Sequence, residues 1–170
     1  MRDARRRFGV AGATAVAGTL IAAWLVPFVT ASAGDTQVQV FDPEGRYSRF
    51  IDNGRPDFSA GDQIIEIHTL LDPADGSDAG KIYTEVTVLR VVQGGEDFYL
   101  TVHCTVVLPE GSIVFYGGFR FSEAGSVGGV TLPVTGGTAD FGLARGTVNI
   151  AFGELGGAPG ATLTFDLTTT

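Results

Sequence analysis

The sequence predicts an all-β fold of eight antiparallel strands in one domain, arranged either as an up-and-down barrel or as a sandwich. Apolar and polar residues alternate with a period of two along several segments, whereas no segment after residue 33 has the 3.6-residue apolar period of an amphipathic helix. Clusters of Gly, Asp, Ser and Pro separate these segments, as short turns between strands require.

The alternating segments place the strands near residues 36–42, 62–71, 82–92, 97–108, 112–122, 130–135, 145–153 and 161–168. The fourth has the clearest pattern, with Phe98, Leu100 and Val102 on one face and Tyr99 and His103 on the other. The segment 43–61 is a long connection that carries several aromatic residues. Because long loops in compact domains are often functional, we expect it near a barrel mouth.

Residues 1–33 have the features of an export signal. Arg5–Arg7 form a positive region, an apolar stretch runs from about Val10 to Val29, and Ala31–Ala33 provide a small-residue cleavage site. The arginines also resemble a twin-arginine signal, so both export routes stay open. An uncleaved membrane anchor is the alternative. The polar residues from Gly34 onward favour cleavage, which predicts a secreted or extracytoplasmic domain of residues 34–170 with no membrane contact after cleavage.

Charge and cysteine content exclude several classes of protein. The net charge is −8 at pH 7 and becomes more negative once the arginines of the signal are removed, which argues against a nucleic-acid partner. Cys104 is the only cysteine, so an intramolecular disulfide is excluded. Its apolar neighbours predict a buried, inert thiol. The two histidines and one cysteine lack zinc-ligand spacing, so no metal site is predicted.

Two polar residues on the second predicted strand allow two interpretations. Glu66 and His68 lie two positions apart and therefore share a face. The ordinary pattern turns them to solvent, opposite Ile65, Ile67 and Leu71, and this is what we expect. The alternative is an acid–base pair that faces a cavity.

The segment Leu132–Gly146 is the most distinctive part of the chain. An apolar run ends in Gly136 and Gly137, a compact turn follows, and Ala144–Gly146 open the next strand. No helical pattern follows, so the glycines are not a phosphate loop; they predict positive φ and close backbone approach in a strand connection. This block resembles the motif of plant dirigent proteins and, more distantly, of allene oxide cyclases. Weaker matches at Gly61–Ile64, Leu70–Asp72, Val102–Ile113 and Thr164–Leu167 extend the resemblance over residues 36–168.

The resemblance implies an eight-stranded antiparallel up-and-down barrel of the calycin type, with an apolar cavity. It implies a protein that orients an apolar, unsaturated small molecule for cyclisation, isomerisation or stereoselective coupling without a cofactor, and it allows a homo-oligomer. Arg145 matches the arginine of the Ala-Arg-Gly motif and Asp72 the acidic residue that closes the second strand, so both are catalytic candidates. The apolar strand faces supply the substrate-binding candidates Phe98, Leu100, Val102, Phe115, Phe119 and Val148.

Two departures from the family pattern point to a different substrate. The strand that begins at Thr36 has no glutamate where allene oxide cyclases place one, and the paired acidic residues of dirigent proteins are reduced to Asp72. Strict alternation also turns Arg145 outward unless a bulge intervenes. An enzyme, a lipocalin-like carrier of a hydrophobic ligand and a filled structural barrel therefore all remain open.

Overall fold

The computed structural model describes residues 36–41, 47–54, 58–92, 97–122, 129–155 and 158–168. The predicted export signal lies outside these residues. The described part contains nine strands and one 3-10 turn, Ala139–Phe141. The strands are β1 Thr36–Phe41, β2 Tyr47–Ile51, β3 Gln63–Leu71, β4 Asp78–Val91, β5 Asp97–Leu108, β6 Gly111–Ser122, β7 Val130–Gly137, β8 Arg145–Leu155 and β9 Ala158–Thr168. No helix in the described ranges is long and apolar enough to cross a membrane.

Eight of the strands form a closed ring, which confirms the predicted barrel. Consecutive strands from β3 to β9 pair antiparallel, and β1 pairs with both β9 and β3. The ninth strand, β2, was predicted to be part of a loop. It shares one edge of β3 with β1, because β1 pairs with Leu70 and Leu71 while β2 pairs with 63–67. The two strands together cover that edge, which would otherwise expose unpaired backbone groups.

The interior is built from alternate residues of the strands. On β5 the even-numbered residues from Phe98 to Leu108 are buried, as predicted, and the odd-numbered residues lie outside. Neighbouring strands place Ile82, Val86 and Leu163 in the same core. This arrangement removes one face of strands such as β3, β5 and β8 from water, which is the main stabilising contribution in a barrel without a disulfide.

The barrel has two ends that differ in packing. We call the end where β3 and β5 begin the upper end, and the end that carries the β3–β4 connection at Asp72–Ser77 the lower end. The lower half is filled by side chains such as Phe115 and Phe165, whose ring centroids lie 6.1 Å apart in an edge-to-face arrangement. The upper half contains the open space described below.

The glycines of the distinctive segment play a different part from the one predicted. Gly136 and Gly137 continue β7, and neither has positive φ, so that prediction is wrong. Positive φ occurs instead at Ala139 (51°) and Gly146 (136°). Close backbone approach is present at Gly137, where a Cβ atom would collide with the carbonyl oxygen of Ser112. A side chain is therefore excluded at Gly137 by contact rather than by backbone conformation.

Candidate functional site

The upper half of the barrel contains a cavity. It encloses about 610 Å³ of space not occupied by atoms, including open space at its mouth. Side chains from β3, β4, β5, β6, β7 and β8 line it, and most are apolar, among them Ile64, Val86, Leu100, Val102, Phe119 and Phe152. A mostly apolar lining with a few grouped polar side chains is typical of sites that hold small organic molecules.

The six predicted substrate-binding residues divide into two groups. Leu100, Val102 and Phe119 line the cavity. Phe98, Phe115 and Val148 are buried but lie outside its lining. The ring of Phe98 packs instead against Phe58, with centroids 5.0 Å apart, and Phe115 packs against Phe165. Strand alternation placed all six inside correctly, but it contains no information about where along the barrel axis the space remains.

Glu66 and His68 lie inside the barrel, so the expectation that they face solvent is wrong. Their exposed fractions are 3% and 2%, and both line the cavity. Ile65 and Ile67 occupy the outer face and are only partly covered. Both faces of β3 carry isoleucines, so the period of two could not decide which face points inward.

The carboxylate of Glu66 has a partner on each oxygen. The hydroxyl of Ser48, on β2, donates to Oε1 across 3.3 Å, and Nε2 of His68 lies 3.6 Å from Oε2. Ser48 stands opposite Glu66 in the β2–β3 register. The added strand β2 therefore positions a polar group of the cavity wall, a role that the sequence pattern did not indicate.

The remaining polar wall residues are Thr84 and Cys104. They stand opposite each other on β4 and β5, and the thiol donates to the Thr84 hydroxyl across 3.5 Å. Burial, with a smaller contribution from the nearby Glu66 carboxylate, raises the pKa of the Cys104 thiol to about 12. The predicted buried thiol is confirmed. A thiol with so high a pKa is protonated at neutral pH and is a poor nucleophile.

The two predicted catalytic residues do not reach the cavity. Arg145 is exposed at the lower end, where its Nη1 donates to the carbonyl oxygen of Ala144 across 2.6 Å. Its neighbours Thr147 and Asn149 are exposed as well, so alternation turns this side of β8 outward. Asp72 lies in the lower turn, where Oδ1 accepts the Ala74 N–H across 2.8 Å. Their catalytic roles stay predictions, and neither lies among the residues around the cavity.

A second buried carboxylate, which sequence reasoning missed, organises the upper end. Asp62 is fully buried; Oδ1 accepts the N–H of Asn53 across 2.8 Å, and Oδ2 accepts that of Ser59 across 2.6 Å. These bonds hold the connection from β2 to β3 so that Phe58 packs on Phe98. The described part of this connection therefore lies at the upper end of the barrel, and its place at a barrel mouth stays a prediction. The clue in the sequence was the Gly61–Asp62 pair that opens β3.

Comparisons with known proteins support the fold. No protein-family model matches the chain, and no curated protein matches it either. A solved pyocyanin demethylase is similar with a TM-score of 0.61 and 21% identity, covering 78% of this chain and 99% of that one. The Diels Alderase AbmU from Streptomyces koyangensis has a TM-score of 0.57 and 16% identity, with coverages of 79% and 64%. A pterocarpan synthase dirigent protein has a TM-score of 0.59 and 16% identity, with coverages of 84% and 94%. The chain thus shares the fold of dirigent proteins and cyclase-type barrels, as the resemblance implied.

Proposed function

We propose that this barrel binds an apolar, unsaturated small molecule in its upper cavity and orients it for cyclisation, isomerisation or coupling without a cofactor. The observation that carries this proposal is the cavity itself, whose wall is apolar except for the grouped side chains of Glu66, His68, Thr84 and Cys104. An apolar wall selects a hydrophobic molecule and excludes water. A few polar groups on one side fix its orientation, and holding reacting atoms in place lowers an activation barrier.

The structural neighbours support the same class of chemistry. They include a Diels Alderase and a pterocarpan synthase dirigent protein, both built on this fold. Because one fold can support many functions, the argument for this chain depends on its own cavity residues rather than on the shared architecture.

The second candidate is a non-catalytic carrier, which the same apolar lining also favours. The two functions differ in what happens to the bound molecule. A carrier releases its ligand unchanged, whereas an enzyme releases an isomer or a coupled product. Incubating the protein with a ligand recovered from it, and analysing the released compound by mass spectrometry and NMR, separates the two.

We also propose that the domain acts outside the cytoplasm after removal of residues 1–33. The arginine-rich start and the Ala31–Ala33 site support this proposal. Intact-mass analysis of protein collected from the medium or the periplasm is expected to show a chain that begins at Gly34. Recovery of the full-length chain in the membrane fraction would contradict it.

The binding proposal is tested with two substitutions on the same strand. Val102 lines the cavity, whereas Val107 is 42% exposed on the outer face of β5. Val102→Trp is expected to fill the cavity and abolish the retention of small molecules that co-purify with the wild type; Val107→Trp is expected to retain them. Phe119→Trp provides a milder filling variant if Val102→Trp does not fold. Equal retention in all folded variants would refute a ligand site in this cavity.

A further inference from the structure

We propose that Glu66 and His68 form an acid–base pair that moves a proton on the bound molecule, and that this molecule has an acidic C–H bond next to a carbonyl group. The inference rests on the proposed function, because it assigns chemistry to the same cavity. The shape of the cavity alone does not identify the reacting residues or the substrate class; the side chains in its wall do.

The first argument is the energetic cost of the pair. Burying ionisable side chains in an apolar interior costs several kcal/mol for each ion unless partners compensate. The remainder of the barrel core is almost wholly apolar: among the described residues, the buried polar or charged ones are Asp62, Glu66 and His68. A pair of isoleucines would satisfy the alternation of β3 at lower cost. Two buried ionisable side chains that line the same cavity are therefore a candidate functional site.

The second argument is the difference between the two buried carboxylates. Both oxygens of Asp62 accept backbone N–H groups of the connection that precedes β3, so this carboxylate serves the loop. Glu66 accepts one hydrogen bond, from Ser48, on Oε1. Its Oε2 faces His68 at 3.6 Å, a separation longer than a hydrogen bond. Since both residues line the cavity, a ligand atom can approach Oε2 and the imidazole together.

The third argument is that the thiol beside the pair is unsuited to the same task. Cys104 lines the cavity but stays protonated at neutral pH and donates to Thr84. The Thr84 hydroxyl accepts the hydrogen bond of this thiol, and an alcohol of this kind does not ionise near neutral pH. The proton-transfer groups of the cavity wall are therefore Glu66 and His68.

The proposed step begins with an ionised Glu66 and a protonated His68. Oε2 of Glu66 takes the proton from the carbon, and the electron pair of the broken C–H bond forms a C=C bond to the carbonyl carbon. The carbonyl oxygen takes a proton from His68, which gives a neutral enol, a protonated Glu66 and a neutral imidazole. Glu66 then returns a proton to the same carbon or to a conjugated one while the enol O–H gives its proton back to His68, which restores the carbonyl group and both side chains. The net change is proton exchange or migration of a double bond, with no oxidant or reductant.

The test uses 2-tetralone, an apolar bicyclic ketone with acidic C–H bonds, in deuterated buffer. Binding is measured by saturation-transfer NMR, and deuterium incorporation by mass spectrometry against buffer alone. The wild type is expected to bind the ketone and accelerate exchange. Glu66→Gln is expected to bind it and to lose about 100-fold or more of the protein-dependent exchange, and His68→Asn to lose exchange in the same way. Glu85→Gln and His103→Asn change exposed residues of the same two types on the outer face and are expected to match the wild type.

The outcomes separate this inference from the proposed function. Failure of the wild type to bind the ketone contradicts the proposed cavity function and the inference with it. Binding without accelerated exchange, or exchange that survives in Glu66→Gln, overturns the inference alone. If Glu66→Gln does not fold, Glu66→Asp serves instead: it retains the negative charge, but its carboxylate is one methylene closer to the backbone and farther from the bound ketone. Exchange at the wild-type rate in that variant would also overturn the inference.

Discussion

The hydroxyl of Ser48 donates a hydrogen bond to Oε1 of Glu66 across 3.3 Å, and it thereby links the added strand β2 to the polar wall of the cavity. The two residues are 18 positions apart in the chain and directly opposite each other in the β2–β3 register. Because Ser48 binds Oε1, the other carboxylate oxygen, Oε2, faces His68. A change in the pairing of β2 with β3 is therefore expected to change the position of the Glu66 carboxylate in the cavity.

The Ser48–Glu66 contact predicts an energetic coupling. Ser48→Ala is expected to destabilise the fold by roughly 1–2 kcal/mol, because a buried carboxylate loses its hydrogen-bond donor. Glu66→Gln and the double variant complete a cycle in urea denaturation, with an expected coupling of about 0.5–2 kcal/mol. Strictly additive effects of the two substitutions would show that the hydrogen bond is not formed in solution.

The two glycines at the end of β7 are expected to differ in how replacement by alanine changes the free energy of unfolding. Gly137→Ala is expected to lower the free energy of unfolding by about 1–3 kcal/mol, because its Cβ atom would meet backbone oxygen atoms that cannot move away independently. Gly136→Ala is the matched control: the nearest atom to its Cβ is Nη1 of Arg145, 4.0 Å away. It is expected to be neutral or slightly stabilising. Equal denaturation midpoints for the two variants would contradict the close approach at Gly137.

Cys104 predicts a dependence of stability on alkaline pH. Its pKa is raised from an ordinary value of 9.0 to about 12 in the fold, so the folded state retains a proton that the unfolded state releases. The resulting contribution to stability is fully present below pH 9 and is lost as the pH rises from about 9 to 12. Cys104→Ala is expected to show a smaller fall in stability over that range, measured by urea denaturation. Parallel pH profiles for the variant and the wild type would contradict the raised pKa.

The position of Arg145 predicts that its side chain is not needed for ligand binding. Arg145→Leu is expected to leave the affinity for 2-tetralone within about twofold, since the guanidinium group lies on the surface at the lower end and bonds to Ala144. Titration followed by NMR measures this, with Val102→Trp as the variant that blocks the cavity. Loss of binding in a folded Arg145→Leu variant would restore the role that the dirigent resemblance implies.

The strand positions could be predicted from the chain because they depend on local alternation and turn residues. On β5, polar residues such as Tyr99 and His103 alternate with Leu100 and Val102, so the inward face was readable. The predicted outward position of His103 is confirmed; it is exposed, with its ring centroid 6.4 Å from that of Tyr116. The same alternation on β5 and β6 predicted the cavity residues Leu100, Val102 and Phe119.

The position and the polarity of the site were decided by the tertiary structure. On β3 both faces are apolar enough to be buried, so the inward position of Glu66 and His68 depends on the pairing of β3 with β4, which aligns Glu66 with Thr84 and His68 with Ile82. Closure of the ring by β1 and the addition of β2 bring together residues far apart in the sequence. Side chains in the lower half fill the space between the strands, whereas those in the upper half do not. Local alternation determines which residues can face the interior, but strand register and the packing of distant side chains determine where a cavity remains and which polar groups face it.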